Sequence, residues 1–446
     1  MSFPITEATP ARFNAALPAR ADVVVIGGGV IGVMTAWFLR ERGLSVVVCE
    51  KGRIAGEQSG RNWGWVRQQG RDPAELPIMV ESLSIWKSLA ATLGDRLGFR
   101  QTGVLYLART EAEIAGFEAW TEHARAHQLD TRMMSAAEVQ AMLKGAVAPW
   151  TAGLFTASDA RAEPWVAVPA LAEAAVEKGA TIREACAVRG LDLAAGRVAG
   201  VVTEAGRIAC DHVVVAAGAW SRLFLGRHGI RIPQLSVLAS VAATEPMPEI
   251  FPGNAADDDF AFRRRADGGY SIAPGARHDF FIGRDAFASL GTYLPILKKD
   301  FRSTTYRLAA PRGFPDAWGT PRRWALDGTS PFERQRVLNP APNLRTLAAV
   351  QDSFAKAFPA LGRPRLKAAW AGMIDSLPDV VPIVDHAPIP GLTIATGMSG
   401  HGFGIGPGMG RVLADVVTGR APGHDLHRFR LARFSDGSPI TPGPSL

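Results

Sequence analysis

Three glycines, Gly27, Gly29 and Gly32, follow a run of four apolar residues, and an acid, Glu50, closes the next apolar run. Read as strand, turn, helix, strand and acid, this spacing is built to bind a dinucleotide. The first glycine permits the tight turn. The second lets backbone approach a pyrophosphate, and the third lets helix and strand pack closely. The amides of Val30 and Ile31 open the helix, whose dipole favours phosphate at that end. The Glu50 carboxylate, with Lys51 beside it, accepts hydrogen bonds from ribose hydroxyls.

A second glycine run, "GHGFGIGPGMG", spans Gly400 to Gly410, and six of its eleven residues are glycine. It falls between an expected strand, "GLTIAT", and an expected helix, "GRVLADVVTG", so it is not a linker. It is read as a second glycine-rich helix N-terminus that holds the other end of the same ligand. The run's backbone packs on a planar ring, and the helix dipole faces the ring's electron-rich edge. His401, inside the run, is placed to wall a pocket and to gain or lose a proton there.

These positions need a scaffold. Val23–Ile26 and "SVVVCE" are expected strands of a parallel sheet, with a helix between them whose apolar face is Ile31, Met34, Thr35 and Phe38. A long loop rich in Gly and Arg follows Glu50. Helices are expected from Leu76, around Ile114–Trp120, after a Ser135/Glu138 capping box, and from Pro164 to Lys178. Short strands then run to "HVVVAAG". From Ile232 to Val337 strands alternate in a mainly antiparallel unit, with "ADGG" (Ala266–Gly269) as a hairpin turn. The expected class is α/β. A discontinuous dinucleotide-binding domain (20–75, 160–231, 338–434) carries an α+β substrate domain (76–159, 232–337) with an inserted module around 278–330.

The chain of 446 residues is 47% hydrophobic, with a formal charge of +7. That is a globular composition with dispersed surface charge. Three scattered cysteines exclude a disulfide framework or metal site as the basis of the fold. The start lacks the apolar core of a signal peptide, so a cytoplasmic protein is expected.

The blocks "VVVIGGGVIG", "GEQSGRNWGWV", "CAVRGL", "HVVVAAGAWS", "WAGMIDSLPDVVPIV" and "MSGHGFGIGP" together resemble the D-amino-acid oxidase superfamily of FAD-dependent oxidoreductases. That group includes glycine oxidase, sarcosine oxidase and the L-amino-acid deaminases. "VVVAAGAWSRLFLGRHGIRIP" and "FRRRADGGYSIAP" are most similar to bacterial L-amino-acid deaminases. The resemblance implies that Ser59, Arg61 and Asn62 line the flavin side of the second loop and that Val188 meets adenine. It implies that Ala217, Gly218 and Trp220 lie beside the pyrophosphate and flavin tail, with Gly372 near the ring and Gly400, Gly402, Phe403 and Gly404 running under it. No cysteine stands in "WAGMIDS", so the implied FAD is non-covalent. Ile374 stands where glycine-oxidase-like members place a carboxylate-binding arginine. Arg263 is then the expected carboxylate ligand, with Tyr270 donating beside it and Gln68 and Gln69 across the pocket. The oxygen-activating lysine of sarcosine oxidases falls near Phe281, which points to a dehydrogenase.

The implied activity is oxidation of the C–N bond of an amino acid or N-substituted amino acid, giving an imine that hydrolyses. The electron acceptor is a quinone, a carrier protein or oxygen, with no nucleic acid and no transmembrane segment. The aromatic and basic stretch "DFFIGRDAFASLGTYLPILKK" is a candidate docking surface at the inner membrane face. The alternatives are a flavin enzyme acting on a modified tRNA base and a non-catalytic flavoprotein assembly factor.

Overall fold

A computed structural model describes residues 4–294 and 304–443. Its six-stranded sheet has the order Ile383–His386, Leu392–Thr396, His212–Val215, Val23–Ile26, Val46–Cys49, Thr181–Arg183. Every neighbouring pair is parallel except the first. The sheet's inner strands Val23–Ile26 and Val46–Cys49 are almost entirely Val and Ile, and they are buried with Leu392–Thr396, as a sheet covered on both faces requires. Helices Val30–Glu41, Pro164–Glu177 and Gly402–Val417 supply part of that cover.

A ten-stranded, mainly antiparallel sheet forms the second layer system. The hairpin Ala261–Arg264/Tyr270–Ala273 lies in it, turned by the Ala266–Gly269 segment. The expected capping box forms at Ser135, and two further ones form at Thr110, which opens helix Glu111–Ala126, and at Ser330. Two boundaries differ from expectation. Helix Leu76–Leu93 packs Ile78, Met79, Leu83 and Trp86 into the dinucleotide-domain core rather than the substrate domain. Strand Leu366–Ser376 pairs along the whole of Leu235–Thr244 in the antiparallel sheet, and helix Leu344–Ala357 joins that sheet's core. The chain therefore rejoins the six-stranded sheet as a strand only at Ile383, although Leu338, Ala371, Met373 and Leu377 already pack in that sheet's core. The reason is that "LKAAWAGMIDS" spans between the two units, and its backbone partners are fixed by the long strand opposite it. The inserted module is described at 278–294 and 304–330; the part of its aromatic and basic stretch from 295 to 303 lies outside the described residues.

Candidate active site

One cavity of about 1000 Å³ runs from the first glycine turn to the second. At one end stand Gly27, Gly29, Val30 and Ile31 with Glu50, Lys51 and Val188. A Cβ on Gly27 would lie 2.4 Å from the Ala216 carbonyl, and one on Gly32 would lie 2.0 Å from the Gly27 carbonyl. Gly32 therefore does not touch the cavity; it lets helix and turn close up, as its place in the motif requires. A Cβ on Gly29 would lie 3.0 Å from Ser59 Oγ, which accepts from the Val30 amide (2.9 Å). Glu50 accepts from the amides of Gly28 and Gly52, each at 2.7 Å. Burial pushes its carboxyl up to about 7, against the pull of Lys51 and those amides. A half-buried acid beside a glycine cradle at a helix N-terminus fits an adenosine diphosphate.

In the middle of the cavity lie Ala217, Gly218 and Trp220. Trp220 Nε1 donates to Glu57 Oε1 (3.1 Å), and Lys51 sits over the Trp220 ring, 4.5 Å from its centroid. Arg61 and Asn62 line the wall, but four of the five Arg61 N–H donors are taken by the protein itself. The guanidinium donates to the carbonyls of Gly56, Ala371 and Ile5 and to Asn339 Oδ1. It braces loops.

The far end holds Gly372, Gly400, His401, Gly402 and Phe403, with Trp65, Arg67, Arg71 and Tyr106. The glycine run differs from expectation in an informative way. Helix Gly402–Val417 begins inside it, so most of the glycines are helical. A Cβ on Gly406 would be 2.6 Å from Val30 Cγ2, on Gly408 2.6 Å from the Ile78 carbonyl, and on Gly410 2.5 Å from Met34 C. These three let the helix press on its two neighbours. Gly404 also turns inward, its carbonyl accepting from Ser82 Oγ and Trp86 Nε1. Within this run, Gly400, at φ +84° and with Ile374 3.8 Å from where its Cβ would be, and Gly402 are the glycines that line the cavity.

The expected substrate residues divide. His401 lines the cavity, 3.0 Å by Nδ1 from Glu75 Oε2. Arg263 does not serve there. It is fully buried and forms a two-point ion pair with Glu163, both contacts at 2.9 Å, above the Trp165 ring. The acid that takes it, Glu163, is the residue before a helix and has no local signal of its role. Tyr270 is buried in the aromatic core, its hydroxyl accepting from the Ile250 amide (2.9 Å). Gln68 and Gln69 are buried behind the wall. Their amides donate to Asp159 (2.7 and 3.2 Å), and Gln69 Oε1 accepts from Thr156 Oγ1 (2.8 Å). They anchor the loop whose neighbours Arg67 and Arg71 face inward. Phe281 packs on Phe314 in the core, so no lysine at that position would reach the cavity.

The residue that sequence reasoning missed is Arg71. It is 2% exposed, its Nε donates to the Arg67 carbonyl (3.1 Å) and its Nη2 to the His401 carbonyl (3.2 Å), and Nη1 has no partner. Burial lowers it to about 10, which still leaves it charged near neutral pH. Pro442 and Gly443 also line this end, tied there through Arg428, which donates to Asp72 Oδ2 (2.9 Å) and the Thr441 carbonyl (2.7 Å).

With this geometry the comparisons with known proteins agree. The pattern of the FAD dependent oxidoreductase (DAO) family matches residues 22–416. The chain belongs to that family. Among solved structures, L-amino acid deaminase from Proteus myxofaciens, in complex with anthranilate, is similar at 32% identity and a TM-score of 0.91, covering 96% of this chain and 97% of that one. L-amino acid deaminase from Proteus vulgaris is similar at 33% identity and a TM-score of 0.89, covering 96% and 100%. The beta subunit of sarcosine oxidase from Rhizobium meliloti (strain 1021) is 26% identical over 93% of this chain and 89% of its own length. The protein is thus an FAD-dependent enzyme of the amino-acid oxidase, dehydrogenase and deaminase group. Among the described residues, no acid, histidine and cysteine cluster could hold a metal, and no helix is long and apolar enough to cross a membrane.

Proposed function

We propose that this protein oxidises the C–N bond of an amino acid or N-substituted amino acid, with FAD held non-covalently along the cavity. The observation that carries this reading is Arg71: a buried, charged guanidinium with an unpartnered nitrogen, at the end of a dinucleotide cradle. A carboxylate satisfies that nitrogen, and the planar fork fixes its direction. Arg67, whose guanidinium lies over the Tyr106 ring (5.6 Å), adds positive charge on the same side. Trp65, Tyr106, Leu107 and Phe117 line the space a side chain would take and exclude water from it.

The residues Gly27–Ile31 and Glu50 hold the adenosine diphosphate, Gly218 and Trp220 flank the linker, and Gly400–Phe403 carry the ring. Flavin, when bound, accepts the hydride and its electron pair from the carbon beside nitrogen. The chain's own work is to orient that carbon by its carboxylate, to exclude water and to manage the amine proton. Of the three cysteines, Cys49 is the one lining the cavity, and it stands beside Glu50 at the end away from Gly400. That supports a non-covalent flavin, and acid precipitation is expected to release all yellow colour to the supernatant. The deciding experiment is anaerobic titration against a panel of D-, L- and N-alkyl amino acids. Bleaching of the flavin by at least one of them supports the reading; a flavin that none of them reduces overturns it.

A further inference from the structure

We propose that His401 Nε2 takes the proton from the ammonium group of the bound substrate, and that Glu75 is the positioning residue that holds the ring for this. The inference rests on the reading of the cavity as an amino-acid oxidation site.

Glu75 immediately precedes helix Leu76–Leu93 and is fully buried. Its Oε2 lies 3.0 Å from His401 Nδ1. Burial raises its carboxyl, but His401, Arg71 and Arg67 together bring it below the ordinary range. A carboxylate only accepts, so the proton of the neutral imidazole must sit on Nδ1. That leaves Nε2 as a lone-pair acceptor, on a ring that lines the cavity. At rest the ring is neutral. Burial first, then the positive charge of Arg71, lowers it to about 4, with Glu75 acting in the opposite direction and Arg67 adding to the depression.

An amino acid arrives as a zwitterion, and hydride cannot leave its α-carbon until the nitrogen lone pair is free. The carboxylate landing on Arg71 cancels the charge that depresses His401 most after burial, so the ring becomes a stronger base as the substrate binds. The ammonium N–H bond breaks, a bond from that hydrogen to Nε2 forms, and the electron pair stays on the substrate nitrogen. No electrons change hands in this step. The new imidazolium is held against the Glu75 carboxylate. Two buried acids line the wall: Asp375 is occupied by the Gly397 amide (2.7 Å) and the Thr396 hydroxyl (3.3 Å), and Asp257 by Arg109 (2.5 Å) and Trp150 Nε1 (2.9 Å). Tyr106 has its phenol pushed up by burial and keeps its proton.

The test uses the holoenzyme with ¹⁵N-labelled histidine. It is titrated with 2-methylalanine, an amino acid without an α-hydrogen, and with lactate, which has the carboxylate but no ammonium. One ring signal, missing in His401→Asn, is expected to change from the Nδ1–H tautomer to imidazolium with 2-methylalanine and to stay neutral with lactate. In parallel, kcat/KM for a substrate that bleaches the flavin is expected to hold a plateau toward low pH in the wild type. In His401→Asn it should fall about tenfold per pH unit below the substrate's own ammonium pKa. Glu75→Gln still accepts from Nδ1–H but carries no charge, so its profile should lie between the two. A ring that stays neutral with both ligands, while both bind and amino acids still reduce the flavin, overturns the proposal. If neither ligand binds and no amino acid reduces the flavin, the oxidation reading has failed and this inference falls with it.

Discussion

A buried guanidinium with an unpartnered nitrogen is stabilised by an anion, and Arg71 stands in that condition at the cavity wall. Arg71→Leu is expected to cost about 3–5 kcal/mol in kcat/KM for a carboxylate substrate, because the bound carboxylate is left buried and unpaired. Arg71→Lys should recover only part of that, since an ammonium lacks the planar fork. Arg263→Leu should behave differently. It strands Glu163, so the loss of about 3–5 kcal/mol is expected in stability, read from a denaturant midpoint, while KM of the surviving enzyme changes by less than about twofold. The two variants separate a substrate arginine from a structural one. From sequence they look alike: the "RQQGRDP" loop is recognisable as Gly- and Arg-rich, but an irregular loop has no period to say which side chains point inward. Glu50 gives a second test at this scale. Its folded pKa of about 7 lies above the unfolded value of 4.5, so in the apoprotein the group favours the fold below about 4.5 and loses that contribution as pH rises through 7. Ribose hydroxyls donate to the charged form, so FAD binding should expel a proton. Affinity of the apoprotein for FAD is then expected to weaken as pH falls below 7, approaching tenfold per pH unit, in a fluorescence titration. Glu50→Gln should flatten that slope; a slope that survives would assign the titration to another group.

Among the elements, helix Gly402–Val417 shows what the glycine run does. Its glycines bring one helix onto two others, because backbone or side-chain atoms lie where Cβ atoms would be. Gly410→Ala would place a methyl 2.5 Å from Met34 C and is expected to lower stability by about 1–3 kcal/mol or more in urea unfolding of the apoprotein. Gly226→Ala is the control. It lies in helix Ser221–Arg227 with nothing near the added carbon, and should stabilise by about 0.5–1 kcal/mol. Equal effects would mean that the close approach is not what these glycines provide. The strands and most helices are legible from period and capping: Val23–Ile26, the Ser135 box and the "ADGG" hairpin need only local information. The start of this helix is not legible, because glycine and Pro407 argue against a helix locally while tertiary packing of the Gly406, Gly408 and Gly410 face decides for it. The assignment of Leu366–Ser376 fails for the same reason: a strand's partner is set by register with a distant segment, here Leu235–Thr244.

For the molecule as a whole, what remains is how electrons leave it, and the surface offers one directional feature. Phe287 (62% exposed), Leu308 (87%) and Trp318 (49%) stand out from the inserted module, with the Phe287 and Trp318 rings 6.0 Å apart. Arg277, Arg284, Arg307, Arg312 and Arg323 are exposed in the same region, while Asp279 and Asp316 are buried. Arg307 is paired with Asp279 (2.8 Å) and Asp327 is exposed as well, but arginines outnumber acids among the exposed described residues of the module, and on a chain of net charge +7 this matches an anionic bilayer surface. A protein so docked would meet a lipid-soluble quinone at the membrane face. Co-sedimentation with vesicles containing phosphatidylglycerol is expected at low salt, with weaker binding at high salt and little binding to phosphatidylcholine alone. Phe287→Glu with Trp318→Glu should abolish it, while flavin reduction by substrate in solution stays unchanged, since both residues lie outside the cavity wall. Stopped-flow reoxidation separates the acceptors: a soluble quinone should reoxidise the reduced enzyme faster than dissolved oxygen does. The reasoning from Phe281 no longer supports that order, because Arg67 and Arg71 place cations at the reacting end. The expected order rests on the surface instead. Vesicles that leave the wild type in the supernatant, together with stoichiometric hydrogen peroxide at the turnover rate, would make the protein an oxidase and the exposed aromatics a packing feature of the module.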